Sequence, residues 1–551
     1  MRQATIAQFQ SACRLPYKQR MPHLRLKGRY RELALLTCAV LVTRYVFRSK
    51  LLYDIDSVNF ALGMAHFNPA AHQPHPPGYF LYIWFGGLLQ HWLRDANTAL
   101  VAISIAASCG TVWAIYQLTA EWFGVRAARW AGLLFLFSPL AWFHGTVALT
   151  YIVEAFFSAL LGYLFWRMRF GGAMVMPAVL FGLAAGVRPS GVMFLGPLFL
   201  YALAGRNAKA RVGALAIFLV TVLLWAFPMM QASGGWAAYS GALWALWKIV
   251  PAQQTVANSS IFNSLVRAVT IAYIFVLSFG AAGVASALAA LARFSRGAKP
   301  HVLPAVSQAG RRRFLAVWLL PGLLFFTFVF LRFANSGYLL ILFPPLCACL
   351  GFQISQWYER SRISRPVKLS VAAAAAACNI VLFLAAPLYC SNRGVREFEA
   401  EIAQIRTELP QAAPAAETLL VGFDTHILGY RHAGYYLDRY VTVQYPEVAV
   451  ASGIRTFSMQ GRETSLARDL ETGKYRKFVF FPLPQEPEFA AYLLRLRAKL
   501  PEQDRQTVRL GHHDYQSWPI EDLALLFPTT ACPPGAACMH GVSSARSVNN
   551  R

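Results

Sequence analysis

Residues 79–93 read YFLYIWFGGLLQHWL, an apolar and aromatic run without a charged side chain. Its placement decides the topology of everything that follows. Fifteen residues of helix rise only about 22 Å, whereas a bilayer core of about 30 Å needs roughly 20 residues. The run therefore suits a helix lying in the membrane interface better than a crossing.

Around it, other apolar stretches read as spans. Arg31–Ser49 precedes it. Thr98–Leu118, Trp130–Ala148, Ile152–Trp166, Ala173–Val187, Gly191–Ala204, Val212–Met230, Ala268–Leu291, Phe314–Leu331, Tyr338–Ser355 and Leu369–Tyr389 follow. With 79–93 in the plane, positive charge collects on one side. Residues 1–30 carry seven Lys or Arg and no acid, and loop 293–313 carries six more. Arg126 and Arg129, Arg167 and Arg169, Arg206 to Arg211, and Arg360 to Lys368 fall on the same side. The opposite loop 231–267 holds only Lys248 and Arg267. This is the positive-inside pattern, and a crossing at 79–93 would invert every later loop and break it.

The sequence thus predicts an α-helical polytopic membrane protein with about eleven transmembrane helices plus the in-plane helix. Residues 1–30 form a basic cytoplasmic N-terminus. Residues 31–389 form the membrane domain, with a first outer loop at 50–97. Residues 390–551 form an extracytoplasmic α/β domain, periplasmic or extracellular, in a chain expected at a bacterial inner membrane. There TLLVGF (418–423), YVTVQY (440–445) and KFVFFPL (477–483) read as strands, and Ser391–Glu408, Gly461–Glu471 and Pro487–Leu500 as helices. Arg44 and Arg48 interrupt the first span and are expected to snorkel to the outer headgroups.

Composition agrees. Of 551 residues, 56% are hydrophobic and 14% charged, against about 25% charged in a soluble protein. The net charge of +26 is spread over short loops beside apolar spans, where it meets anionic headgroups; nucleic acid is not expected as a partner. No cleavable signal peptide is visible. Cys532 and Cys538, in the tail TACPPGAACMHG, are expected to pair if the tail meets an oxidising compartment.

Only 25 residues are acidic, and two of them stand one residue apart directly after the first span. The stretch runs Tyr53-Asp54-Ile55-Asp56-Ser57-Val58-Asn59-Phe60-Ala61, with His75-Pro76-Pro77-Gly78-Tyr79 further on. A carboxylate at a membrane surface can take a proton from an acceptor hydroxyl or amine. A pair can also hold a divalent cation such as Mg²⁺ or Mn²⁺. The plain alternative is that Asp56 caps a helix. Among basic residues on the outer side, Arg44, Arg188, Lys248, Arg267 and Arg332, Arg188 stands out because Arg188-Pro189-Ser190 breaks an apolar hairpin. An ionisable residue within the membrane points to a functional site. Glu154, acidic in an apolar setting, could position a sugar hydroxyl or pair with an Arg.

The order of basic N-terminus, span, acidic pair, His-Pro-Pro, in-plane aromatic helix, many spans and outer domain resembles the GT-C glycosyltransferases. The likeness is to the protein O-mannosyltransferase and aminoarabinose-transferase-like group. It implies a transferase that moves a sugar from a polyprenyl-phosphate donor to a lipid, glycan or protein acceptor outside the cytoplasm. It implies catalysis by Asp56 or Asp54, the same pair being the candidate metal ligands. It implies substrate contacts from His75, Tyr79, Arg332 and Tyr338, and Glu154 and Arg188 join them as candidates on their own placement. Asp56 matches the family's acidic position through its spacing to Phe60-Ala61, while Ser57 stands where many members have a second acid. Tyr338-Leu339-Leu340 matches a late Arg-Tyr-Leu-Leu-Pro segment, with Arg332 a little earlier. Two rival readings carry no transferase chemistry: a transporter or flippase of a lipid-linked intermediate, and a noncatalytic membrane scaffold.

Overall fold

The computed structural model describes residues 23–526, apart from 170, 250–260, 296–304, 332, 424, 446–455, 458–472, 482–493 and 495–496. Arg332, Cys532, Cys538, the expected helix 461–471 and most of 487–500 lie outside the described residues.

Helix α1 (His23–Val46) leads into the first outer loop, which holds α2 (Ile55–Ala65) and α3 (Phe80–Leu93). Then come α4 (Ala96–Phe123), α5 (Val125–Leu136), α6 (Pro139–His144), α7 (Tyr151–Met168), α8 (Val175–Val187), α9 (Gly191–Ala204) and α10 (Ala208–Ala232). They are followed by α11 (Trp236–Ile249), α12 (Ile261–Ser295) and α13 (Ala305–Phe328). A 3-10 segment, Phe333–Leu342, runs into α14 (Phe343–Arg360), and α15 (Arg365–Ala385) closes the helical domain. Five helical stretches among the described residues are long and apolar enough to cross a bilayer: Ala96–Phe123, Ala208–Ala232, Phe262–Gly280, Asn335–Arg360 and Arg365–Ala385. Helices α8 and α9 are shorter apolar pieces, separated at Arg188 as the sequence predicts.

Helix α3 has 14 residues and rises about 21 Å, too short to cross. It is held down by Tyr82, Ile83 and Gly86, which are buried. Gly86 leaves no room for a Cβ, which would come within 2.7 Å of Leu100 and 2.8 Å of Met64. Trp84, Phe85, Leu88 and Trp92 stay exposed along its length.

Two expectations need correction. Arg44 does not reach outward. It is fully buried and donates to the carbonyls of Leu136 at 2.9 Å and Phe135 at 3.3 Å, with its guanidinium 5.1 Å from the Trp142 ring. It thereby neutralises the carboxyl end of α5, where unpaired carbonyls and the helix dipole attract a cation. The expected span Trp130–Ala148 is also not one helix. It breaks at Ser138, whose hydroxyl accepts the Ala141 N–H at 3.2 Å and opens α6. Beyond α6 the backbone is irregular and buried, and neighbours satisfy its carbonyls. Ser104 Oγ donates to Val147 O at 2.8 Å, Ser57 Oγ to Ala148 O at 2.9 Å, and the Ser49 N–H to Thr146 O at 2.8 Å. Irregular backbone inside a membrane domain is tolerated where protein buries it in this way.

The C-terminal domain, expected on the outer side and named the outer domain for that expectation, begins with α16 (Asn392–Ala412), whose Val395, Phe398, Ile402, Ile405 and Leu409 are buried at helical spacing. A mixed sheet follows: β1 (Thr418–Phe423), β2 (Val441–Tyr445), β3 (Thr456–Phe457), β4 (Lys477–Phe480), β5 (Gln506–Leu510) and β6 (His513–Pro519), with α17 (Tyr430–Tyr436) after β1. The strand order is β3-β2-β1-β4-β6-β5, with β1 parallel to both β2 and β4 and the other pairs antiparallel. The three apolar strands read from the sequence are β1, β2 and β4. Leu419, Val421, Val443, Phe478 and Trp518 form the buried core of the sheet.

This domain is docked on the first outer loop through main-chain groups. The Ile55 N–H donates to His426 O at 2.8 Å, and the Leu52 N–H to the Tyr436 hydroxyl at 2.6 Å. Arg431 donates to Ala71 O at 2.8 Å and Arg396 to Arg48 O at 2.8 Å, and just ahead of the domain Tyr389 O accepts the Tyr53 hydroxyl at 2.8 Å. His432 Nε2 lies 3.2 Å from Tyr53 O.

Candidate active site

The site grows from the first turn of α2. Asp54, not Asp56, is the N-cap: its Oδ1 accepts the Asp56 N–H at 2.8 Å. Asp54 is 4% exposed. Its Oδ2 receives the Tyr389 hydroxyl and lies 3.6 Å from His426 Nδ1. Asp56 is one position further along, and its side chain keeps 23% of its surface open. The two acids thus divide into a tied, buried one and an open one.

Asp56 Oδ1 sits 3.2 Å from His75 Nδ1, and His75 Nε2 is hydrogen-bonded to the Tyr79 hydroxyl at 2.9 Å. Burial pushes the Asp56 carboxyl up. The charge and contact of His75 outweigh it, with His426 and Arg188 adding to them, and hold the carboxyl at about 2. Asp56 is therefore ionised at any physiological pH. The His-Pro-Pro segment turns, the Gly78 N–H donating to His75 O at 3.1 Å, and delivers His75 and Tyr79 to the same spot.

Tyr79 joins this outer part to a buried cation. The Arg188 guanidinium lies 5.8 Å from the Tyr79 ring, 4.4 Å from the Tyr151 ring and 4.6 Å from the Tyr338 ring. Arg188 Nη1 donates to Thr150 Oγ1 at 2.6 Å, and Nε stands 3.0 Å from Glu154 Oε2, each side chain of the pair being 4% exposed. The break between α8 and α9 puts Arg188 here. Glu154, on the first turn of α7, takes the ion-pairing role rather than standing alone. The pair is close but poorly aligned, so Glu154 Oε1 and Arg188 Nε have no hydrogen-bond partner among the described residues. Buried polar atoms without partners are rare in folded proteins and mark places where a ligand can complete them. Tyr338 enters through the 3-10 segment, whose Gly337 passes so near Tyr151 and His144 that a Cβ would lie 2.4 Å from the Tyr151 ring.

Asp54, Asp56, His75, Tyr79, Glu154, Arg188 and Tyr338 thus meet in one place. The sequence reading missed Thr150, Tyr151 and His144, and also Tyr389 and His426. His144 is buried with both ring nitrogens unpartnered among the described residues. An aromatic after a polar residue at a span boundary could have flagged Thr150-Tyr151. Nothing local marks Tyr389 or His426. The acid pair is the candidate site for a divalent cation. Both Asp54 oxygens are engaged, and no group of three His, Cys, Asp or Glu side chains among the described residues converges for one.

No protein-family model and no curated protein matches the chain. Solved structures do. ArnT from Cupriavidus metallidurans bound to undecaprenyl phosphate is 15% identical, with a TM-score of 0.53 over 91% of this chain and 99% of that one. Its apo state gives the same identity and TM-score over 91% and 98%. The archaeal oligosaccharyltransferase AglB from Archaeoglobus fulgidus, in complex with an inhibitory peptide and a dolichol-phosphate, is 13% identical, with a TM-score of 0.45 over 83% and 69%. Identity this low speaks for architecture alone. The chain has the fold of ArnT over nine-tenths of its length, and the resemblance to GT-C glycosyltransferases read from the first outer loop holds at the level of that fold.

Proposed function

We propose that this chain is an integral membrane glycosyltransferase that moves a sugar from a polyprenyl-phosphate donor to an acceptor on the outer side of the membrane. The reading rests above all on one observation: an open Asp56 is linked through His75 and Tyr79 to a buried Arg188. The donor's phosphate lies toward Arg188, whose charge is fixed by Thr150 and Glu154 and framed by three tyrosines. Arginine suits phosphate because its planar fork of N–H groups matches phosphate oxygens. The acceptor hydroxyl or amine lies against Asp56.

In the reaction the acceptor oxygen or nitrogen bonds to the anomeric carbon. The bond from that carbon to the phosphate oxygen breaks, its electron pair stays on the lipid phosphate, and the acceptor's proton passes to Asp56. Attack from the side opposite the phosphate inverts the anomeric centre. Arg188 stabilises the growing charge on the leaving phosphate. The chain crosses the bilayer about eleven times, with residues 1–30 inside and 390–551 outside.

Mass spectrometry of envelope lipids, glycans and proteins from cells with and without the chain identifies the transferred sugar. Asp56→Asn then tests the chemistry. It should cut that product by about 10²-fold or more, the usual contribution of a general base. Binding of undecaprenyl phosphate to the purified chain should persist. Product at the unsubstituted level would remove Asp56 from the mechanism and favour a flippase or a scaffold.

A further inference from the structure

We propose that His426, contributed by the outer domain, is a positioning residue of the transfer site, holding Asp54 and through it the first turn of α2 on which Asp56 rides. The inference rests on the glycosyl-transfer reading of Asp56.

In α/β sheets ligand sites form outside the carboxyl ends of parallel strands. Here β1 lies between two parallel neighbours, and the loop leaving its carboxyl end carries His426 straight to α2. The loop is stiff. The Thr425 hydroxyl donates to Ile427 O at 2.9 Å, and the Thr425 N–H to Phe423 O at 3.1 Å. Leu428 adopts a left-handed φ of 52°. At Gly429 a Cβ would come within 2.7 Å of Phe423 O.

His426 engages α2 twice. Its carbonyl accepts the Ile55 N–H, the amide between the two acids, at 2.8 Å. Its Nδ1 stands 3.6 Å from Asp54 Oδ2. A carboxylate as buried as Asp54 needs a compensating donor or cation. The other basic side chains of the site face other acids, Arg188 facing Glu154 and His75 facing Asp56. Tyr389 and His426 are what Asp54 receives on that oxygen. Asp54 in turn fixes the Asp56 N–H. The imidazole remains 36% exposed, so it meets the space from which an acceptor reaches Asp56. A reacting group displaced by about 1 Å can lose a large factor in rate, so the contact acts on turnover and not on donor binding.

His426→Ala is a clean probe, because the carbonyl bonded to Ile55 stays. The product per cell, its rate of formation, undecaprenyl phosphate binding to the purified full chain, and thermal unfolding are measured together. The expected result is a fall in product formation of about tenfold, with undecaprenyl phosphate affinity and unfolding temperature unchanged. His426→Asn, which returns an N–H near the position of Nδ1, should recover most of the loss. Full activity in His426→Ala beside an inactive Asp56→Asn overturns the role of His426 and leaves the transferase reading standing. Equal losses in the Ala and Asn variants, with weaker donor binding and a lower unfolding temperature, also overturn it, since they mark a folding defect. Full activity in both Asp56→Asn and His426→Ala sinks the underlying reading instead.

Discussion

Asn accepts a helix N–H almost as well as Asp, so Asp54→Asn keeps the cap on Asp56 while removing the charge that faces Tyr389 and His426. Its loss of activity should be smaller than that of Asp56→Asn, and Asp54→Ala should also destabilise α2 by about 1 kcal/mol; activity and thermal unfolding of the three variants check this ordering. Arg188→Lys keeps a charge but loses the fork that spans Thr150 and Glu154 and the flat face set against Tyr151 and Tyr338. Undecaprenyl phosphate binding should weaken about tenfold, one well-placed charged hydrogen bond being worth roughly 1.5–3 kcal/mol; unchanged affinity would place the phosphate elsewhere. At this scale the sequence was most informative where chemistry is rare. Two acids beside a span, a His before two prolines and an Arg that splits an apolar hairpin can each be noticed in isolation. The plain alternative, a cap at Asp56, falls to Asp54 instead, whose Oδ1 accepts the Asp56 N–H, and the burial of Asp54 by Tyr389, 335 residues away, has no local signal. His426 was invisible for the same reason.

At the level of elements, the outer domain responds to acid and alkali at different places. Burial pushes His432, wedged on α17 against Tyr53, down to about 4. Its neutral form is the one the folded chain prefers, so its contribution is whole above pH 6.5 and is lost as pH falls toward 4. His513 behaves oppositely. Burial alone would lower it, but the carboxylates of Glu408 and Glu401, at 2.9 Å and 2.5 Å, outweigh that and raise it. Its contribution is whole below pH 6.5 and fades as pH rises through its raised value. Hydrogen exchange should therefore show the junction around Tyr53 loosening in mild acid and the β5–β6 hairpin loosening in alkali. His432→Gln and His513→Gln should each flatten one of the two responses and leave the other. Strand reading from sequence succeeded for β1, β2 and β4, which are short apolar runs. It missed β5 and β6 because β5 is largely exposed and shows no buried face, although Gly511 with its left-handed φ of 56° marks the turn between them.

Across the whole molecule, the long apolar helices were legible because a span needs length and apolarity, and the side of each loop is read from charge alone. The irregular, buried stretch after α6 was not legible, since its stability comes from Ser49, Ser57 and Ser104 on distant elements. The topology is open to a direct test. Val508 on β5 is 40% exposed, and a cysteine there, in a chain whose native cysteines are replaced, should react with an impermeant maleimide added to intact cells. Labelling only after lysis would put the outer domain inside and turn the whole scheme over. Lastly, α3 carries Trp84, Phe85, Leu88 and Trp92 on its open side a few residues after His75 and Tyr79. Tryptophans favour the headgroup layer, so on the proposed topology this helix would set the depth at which the acid pair meets the membrane. On the proposed function, a donor anchored in the same layer would arrive by sliding sideways, and its effective concentration would be its share of the surface, not its amount per litre. Turnover in micelles should then fall as detergent is added at constant donor and enzyme, by simple surface dilution.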